Sequence, residues 1–370
     1  MKVGIISFSV SHTSGAGRFA INLGMGLIKK GIDVSIYTYH IDGNLVNFFS
    51  SVGISCFFNK TVLSKLDKYR MINDSGKVAL SLRKHIYSDV ECDVYVVLND
   101  KIIGISKYRN EKIWIYISQG DMLFLFFNKA FNDLHFPFSR VFSLQLAKRF
   151  TRHQNFAKNY DLVLANSNFT SELMSFMLDV SVAGVVYPPV DTCKFYPCKD
   201  DNLQEKYVVT LLRSEAEPSF KIVEELAKTI NIHVVGEVKV PGAVNLGKIS
   251  DIDLIREYSN ALFTLNPNLQ EYFGYSIAES LACGTPVMAF NHGGAKDQII
   301  DTFNGWLFVS KELFIRNAID VFQNGYNQQI RKNARESSIN FNKEMSADSL
   351  CHYISMLNPK NVSNHKRLPD

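Results

Sequence analysis

Cysteine is sparse and unpatterned in this chain. The six cysteines, Cys56, Cys92, Cys193, Cys198, Cys283 and Cys351, form no Cys-x-x-Cys pair. That excludes a disulfide framework or a zinc-binding spacing and points to a reducing, cytoplasmic compartment. No His/Asp cluster suggests a metal site. Apolar runs are short, and none approaches the roughly 18–20 residues of a membrane-crossing helix. The opening Met1–Phe8 is too short, and lacks the flanks, to read as a signal peptide. Charge of one sign is lacking too. The net charge of +4 with pI near 8.6 suits an anionic ligand or surface but gives no ground for nucleic-acid binding. What is present is globular. Hydrophobic residues make up 46% and charged residues 21%, enough to bury large cores, and 370 residues fit two domains.

The pattern along the chain alternates strand and helix. Residues 2–8 read as a buried strand through Val3, Ile5 and Ile6, followed by a Ser/Gly loop from Ser9 to Gly17. Phe19, Leu23, Leu27 and Ile28 mark a helix that stops at Lys29-Lys30-Gly31, with Val34–Tyr39 as the return strand. Strands are expected at 93–98, 112–117 and 161–165, while the polar stretch 59–73 receives no element. A helix capped by Ser167 or Asn168 runs to Leu178. The stiff Val185–Asp191 and hydrophilic Cys198–Lys206 mark a boundary, giving domains 1–190 and 191–345. The second domain repeats the alternation: strands at 207–211, 233–235, 261–265 and 287–290, helices at 220–229 and 254–259 and from the Glu-bearing segment, and a helical stretch at 311–340. A helix at 347–357 and a polar tail at 359–370 close the chain. The fold expected is α/β, two Rossmann-like domains whose parallel sheets face each other across a cleft. Ligands of such sheets bind beyond the carboxyl ends of the strands.

Gly15-Ala16-Gly17-Arg18-Phe19-Ala20 matches G-x-G-x-x-A. Several residues separate it from the strand, and Tyr37-Thr38-Tyr39 offers no acidic residue, so a dinucleotide reading fails. A Walker A lysine is absent as well. What remains is a helix start whose amides can approach an anion, or a plain loop-to-helix turn.

The most informative stretch is Glu271-Tyr272-Phe273-Gly274-Tyr275-Ser276-Ile277-Ala278-Glu279. Asn266-Pro267-Asn268 leaves a strand, Glu271 lies in the loop, Phe273, Gly274 and Tyr275 supply amides at a helix start, and Glu279 sits a turn inside. A nucleoside diphosphate sugar needs these three things: donors for the diphosphate, a carboxylate for sugar hydroxyls and another for ribose hydroxyls. The plainer alternative makes Glu271 a solvated loop charge and Glu279 a helix-surface residue. Gly284-Thr285-Pro286 turns into the next strand, and His292-Gly293-Gly294-Ala295 offers a second amide-rich loop.

In order and spacing, these motifs resemble the retaining family 4 glycosyltransferases of the GT-B fold (glycosyl transferases group 1). The resemblance spans nearly the whole chain. It rests on Gly15–Arg18, Ala165-Asn166-Ser167-Asn168-Phe169, Tyr187–Asp191 with Phe195-Tyr196-Pro197, and Leu246-Gly247-Lys248-Ile249. It rests most heavily on Glu271 and Glu279 with Phe273-Gly274, then Ala282–Val287, Gly293-Gly294 and Asn304-Gly305. It implies that Glu279 binds the donor ribose, Glu271 faces the transferred sugar, and the amides of Phe273, Gly274 and Tyr275 hold sugar and phosphate. It further implies that Gly15 and Gly17 approach the distal phosphate, that Arg213 neutralises the diphosphate, and that the helix at 346–358 completes the first domain. No metal and no cofactor beyond the nucleotide diphosphate sugar are implied.

The chain departs from the family at three places. Where a diphosphate-binding lysine is expected, Pro218 stands, with Lys221 three residues on; Lys221 either takes that role through a shifted turn or is a solvated helix residue. Where many relatives carry a histidine near the sugar, Gln119 and Asp121 stand in Ser118-Gln119-Gly120-Asp121; Asp121 could instead cap a helix. Asp297 replaces the acidic residue of GG-x-x-E. His12, ahead of Gly15, is a further acceptor-side candidate. The reaction implied moves a sugar to a hydroxyl acceptor with retention, the leaving diphosphate serving as base. Aromatic 122–152, with seven Phe from Phe124 to Phe142 beside Lys129, Arg140, Lys148, Arg149 and Arg152, points to contact with a membrane face and a lipid-linked or other glycan acceptor; packing in a core or dimer contact is the alternative. Two other classes fit the same residues: a nucleotide-sugar epimerase or hydrolase, and a nucleotide-sugar-binding protein with a weakened site.

Overall fold

The structure, a computed structural model, describes residues 1–11, 14–58, 91–120, 148, 151–198, 206–214, 218–269 and 271–357. His12, Asp121, the stretch 59–73, the Phe-rich 122–147 and the tail 359–370 lie outside them. The chain divides into two compact units, 1–189 with 343–370, and 190–342.

The first unit is a six-stranded parallel sheet. Its strands are β1 (Lys2–Val10), β2 (Asp33–Ile41), β3 (Ser55–Phe58), β4 (Val94–Leu98), β5 (Ile113–Ser118) and β6 (Leu162–Ala165), in the order β3-β2-β1-β4-β5-β6. β1 lies in the middle, pairing Ile5 with Ile36 of β2 and with Val96 of β4. Being covered on both faces, β4 is buried at every position, which explains a continuous apolar run rather than alternation. Helix α1 (Gly15–Lys29) lays Phe19, Leu23 and Leu27 on this sheet, and α2 (Gly43–Ser51) adds Leu45 and Phe49. α3 (Asn168–Leu178) starts at Ser167, whose hydroxyl accepts from the Thr170 amide at 3.0 Å.

The second unit repeats the order. β7 (Val208–Leu211), β8 (Ile232–Val235), β9 (Val244–Gly247), β10 (Thr264–Asn266), β11 (Val287–Phe290) and β12 (Gly305–Phe308) run parallel as β12-β11-β10-β7-β8-β9. α4 (Pro218–Leu226), α5 (Asp251–Asn260), α6 (Tyr275–Ala282), α7 (Ala295–Gln298), α8 (Lys311–Asn324) and α9 (Gln329–Ser337) connect and cover it. Because side chains alternate along a strand, β11 feeds two cores. Met288 and Phe290 join α4 and α8 on one face; Val287 and Ala289 join Ile277 and Leu281 of α6 on the other.

The last helix, α10 (Lys343–Met356), returns to the first unit. Ala347, Leu350 and Ile354 enter its core, Gly26 of α1 lets the Lys343 carbonyl approach closely, and Lys29 and Lys30 pair with Glu344 and Asp348, each at 2.5 Å. The helical stretch expected at 311–340 is two helices and a 3-10 turn, interrupted at Gly325, whose φ is +76°. The elements not foreseen include α2, the 3-10 helix Asp100–Tyr108 and the edge strands β3, β9 and β12, which are four residues each and only partly buried.

Candidate active site

In both sheets the strand order reverses at one point, between β1 and β4 and between β7 and β10. The loops leaving those strands are where such sheets take ligands. In the second unit, β7 leads to Arg213, β10 to Glu271 and β11 to Gly293-Gly294, three adjacent strands with parallel exits.

The β10 exit is fixed residue by residue. Asn266 spends its carboxamide on Ser276 Oγ (3.2 Å) and on the Asn268 amide (3.3 Å). Asn268 Nδ2 then donates to Glu271 Oε1 at 2.9 Å, aiming that carboxylate. Gly274 caps α6 with φ +90°, a left-handed conformation that favours glycine, and no side chain occupies the cap. The helix therefore begins with its amides uncovered by a capping side chain. Glu279, one turn inside, is 2% exposed. This overturns the alternative of a solvated surface charge, since a carboxylate taken so far from water requires hydrogen-bonding partners.

The Gly293-Gly294 loop differs from expectation. It is a clamp for its neighbour rather than a second bank of free amides: the Gly294 amide donates to the Glu271 carbonyl at 2.8 Å. A Cβ at Gly293 would collide with that carbonyl, and one at Gly294 would sit 2.5 Å from Phe273 Cα. Buried Gln298 completes the clamp. Its Nε2 donates to the Phe273 carbonyl and reaches the Gly274 carbonyl at 3.3 Å. Phe273 itself is buried, edge-on to Tyr275 and Phe341. Sequence reasoning missed Asn268 and Gln298, although asparagine directly after a strand was a usable signal.

The far end of α6 is held by cations that look like surface charges in sequence. Arg331 donates to the Ser259 and Ala261 carbonyls and to Thr285 Oγ1, while Arg335 donates to the Ala282 and Phe195 carbonyls. Burial pushes the Cys283 thiol at this end up to about 12, which makes it packing and not a nucleophile.

Arg213 and Lys221 are both exposed, and neither forms an ion pair among the described residues. Lys221 sits in the first turn of α4 beside buried Ile222 and Val223, with Pro218 opening the helix. Glu217, four residues before Lys221, lies outside the described residues. The expectation from sequence that no Asp-x-Asp is present is wrong: Asp251-Ile252-Asp253 is one. It opens α5, where Asp251 pairs with Lys194 at 2.5 Å and Asp253 bonds Ser250 and Arg256. Among the described residues no group of three or more His, Cys, Asp or Glu could hold a metal, and no helix is long and apolar enough to cross a membrane.

In the first unit, Gly15 opens α1, and the Gly17 amide donates to the capping Ser14 hydroxyl at 3.0 Å. The amide expected to meet a phosphate is thus committed to the cap, and Gly17 is small because the Ser11 backbone crosses it. Gln119 lies over a buried polar cluster. Asp100 Oδ1 accepts from the Tyr116 hydroxyl, from Ser118 Oγ (3.2 Å) and from the Gln119 amide (3.4 Å). Since Tyr116 gives its only proton to Asp100, His153 Nε2, 3.2 Å away, is the donor to the Tyr116 oxygen. Asn99, at φ +145°, makes the turn from β4 that places Asp100 there.

Residues 221–337 match the family model described as Glycosyl transferases group 1. Sucrose-phosphate synthase from Thermosynechococcus elongatus has a similar structure, with TM-score 0.74 at 16% identity over 96% of this chain and 99% of that one. An Anabaena protein, HepE, solved in complex with UDP and glucose, aligns with TM-score 0.68 at 16% identity, covering 96% and 99%. A Caenorhabditis elegans GDP-Man:Man(3)GlcNAc(2)-PP-Dol alpha-1,2-mannosyltransferase is 26% identical over 158 residues, 41% of this chain and 29% of that protein. Its Mus musculus counterpart is 26% identical over 247 residues, 53% and 49%. The chain thus matches about half or less of the length of these curated relatives. It has the GT-B fold and is related to the glycosyl transferases group 1 family.

Proposed function

We propose that this protein transfers a sugar, with retention at the anomeric carbon and without a metal ion, from a nucleotide diphosphate sugar to a hydroxyl acceptor. The observation that carries the reading is Glu279, a carboxylate 2% exposed, one turn inside a helix whose start is capped by glycine and presents its amides. Amides at that position suit a diphosphate, Glu279 suits ribose hydroxyls, and Glu271, aimed by Asn268, suits the sugar. Arg213 supplies one cation for the leaving group, and Lys221 supplies the second by extending from the first turn of α4. Glu271 orients the sugar and stabilises developing positive charge, while the leaving diphosphate takes the acceptor proton. HepE is described with UDP and glucose, and the curated relatives are named for a GDP-mannose donor and a dolichol-linked acceptor; both support a nucleotide-sugar donor here. The same relatives and the aromatic, basic sequence of 122–152 support a lipid-linked glycan acceptor at a membrane face.

The test is nucleotide release in chelator-treated buffer, followed by NMR of the product's anomeric proton. Acceptor-dependent release with the donor's configuration kept is the expected result. Donor isomerised or hydrolysed without acceptor would replace this reading with the epimerase or hydrolase one, and donor bound without turnover with the weakened-site one.

A further inference from the structure

The first unit carries a feature that donor chemistry does not use. A cavity of about 720 Å³ is walled by Lys107 on one side and by Lys148, Arg152, Asn155 and Asn159 on the other. The four latter residues recur at three- and four-residue spacing; Arg152 and Asn155 lie in the helical stretch 151–157, Lys148 is helical, and Asn159 follows in the turn after it. Phe156 is the floor. Lys107 Nζ lies 5.2 Å from its ring centroid, and the Arg152 guanidinium carbon lies 5.4 Å from the same centroid.

Two cations gathered on one aromatic ring repel each other, and Lys148 adds a third like charge at the same opening. Their neighbours on this face are neutralised: Arg109 pairs with Asp161 at 2.8 Å and Lys112 with Glu91 at 3.0 Å. Among the described residues Lys107, Lys148 and Arg152 form no ion pair, and no carboxylate lines the cavity. The wall is also braced from beneath. On the opposite face of the same helical stretch, buried His153 bonds to the Tyr116 hydroxyl, fixing the stretch to β5. A fixed concavity with three cations, two carboxamides and no acid complements a compact multivalent anion.

We propose that this cavity binds a phosphate group. Arg152 offers a planar fork to two phosphate oxygens, Lys107 and Lys148 are point charges for the rest, and Asn155 and Asn159 donate directionally. The cavity leaves room for whatever carries the phosphate, either a membrane lipid headgroup or a soluble phosphorylated compound. The proposal does not rest on the donor reading, because every residue it uses lies in the first unit.

The test uses the full chain and inorganic pyrophosphate, read by phosphorus NMR titration. Wild type is compared with Lys107→Gln/Arg152→Gln, with Lys148→Glu and with the second-unit variant Arg213→Ala. Removing each cavity cation is expected to weaken a pyrophosphate site about tenfold, a site that persists in Arg213→Ala. Lys148 is exposed and stands off the Phe156 ring, so its variant reports even where the double variant melts early. Equal pyrophosphate affinity in wild type and both cavity variants overturns the proposal. Co-sedimentation with phosphatidylcholine vesicles, with and without about one-fifth phosphatidic acid, identifies the source. Binding that needs the anionic lipid and fails in Lys148→Glu assigns a headgroup; pyrophosphate binding without vesicle binding assigns a soluble phosphate. Failure of the donor reading looks different: nucleotide sugars fail to bind while the cavity variants still lose pyrophosphate.

Discussion

The two points where strand order reverses are built from different materials. In the second unit the site is mostly backbone: a glycine-capped helix start, two glycines clamping the Glu271 loop, and Gln298 holding the Phe273 and Gly274 carbonyls. In the first unit it is a knot of buried ionisable side chains, Asp100, Tyr116 and His153, beneath Gln119. Backbone construction needs particular residues at fixed, close spacing, because each glycine answers to one nearby collision. A side-chain knot draws on residues far apart in sequence, each unremarkable alone. The first kind leaves a motif and the second does not.

That contrast accounts for what could be read in advance. Glu271-Tyr272-Phe273-Gly274 and Glu279 were legible because the residues that build this loop and helix start are contiguous. The parallel sheets were legible too, down to β11 at Val287–Phe290, because buried strands run apolar. The edge strands β3, β9 and β12 were not: each is four residues long, β9 is largely exposed, and Trp306-Leu307-Phe308 of β12 is too short an apolar run to tell from a loop. Nor was the role of Asp100, which leaves β4 but meets Ser118 and Gln119 only after the chain has crossed to β5. Arg331 and Arg335 carry no signal in sequence, because nothing local reveals that helix-end carbonyls in need of donors lie against them.

Substitutions in each unit test this difference. The largest effect belongs to Gly293→Ala. It places a Cβ against the Glu271 carbonyl at a residue with φ +62°, so thermal unfolding should reveal a loss of about 2–4 kcal/mol, with donor affinity falling alongside. A near-neutral result would mean the loop is not clamped. Next is Gln298→Leu, which leaves the Phe273 and Gly274 carbonyls without their buried donor. A cost of about 1–3 kcal/mol is expected, with donor affinity falling alongside; Gln298→Glu, which keeps the side chain's size but sets an acceptor against the two carbonyls, should cost at least as much, and a near-neutral Gln298→Glu would credit packing instead of the donated bonds.

A smaller effect separates the units by pH. Burial holds the His153 imidazole below the ordinary histidine value of 6.5, against the opposing pull of Asp100. The unfolded chain therefore binds this proton more readily. The stabilisation is complete above pH 6.5 and declines as pH falls from there towards the folded value. Melting curves across that window should show the slope in wild type and lack His153's share of it in His153→Gln. The smallest effect should come from Lys221→Ala, whose exposed ammonium is expected to change donor affinity by only about two- to fivefold, less than Arg213→Ala. Equal losses from the two would show that Lys221 has taken over the full role of the missing lysine.

The most direct measurement is ligand-detected NMR of the metal-free protein against a panel of nucleotide diphosphate sugars, repeated with Glu279→Ala. The account predicts that one donor class binds selectively and that the variant loses it by about a hundredfold, as expected for removing a buried carboxylate from its hydroxyl partners. Equal binding by wild type and Glu279→Ala, or no binding across the panel, would contradict it.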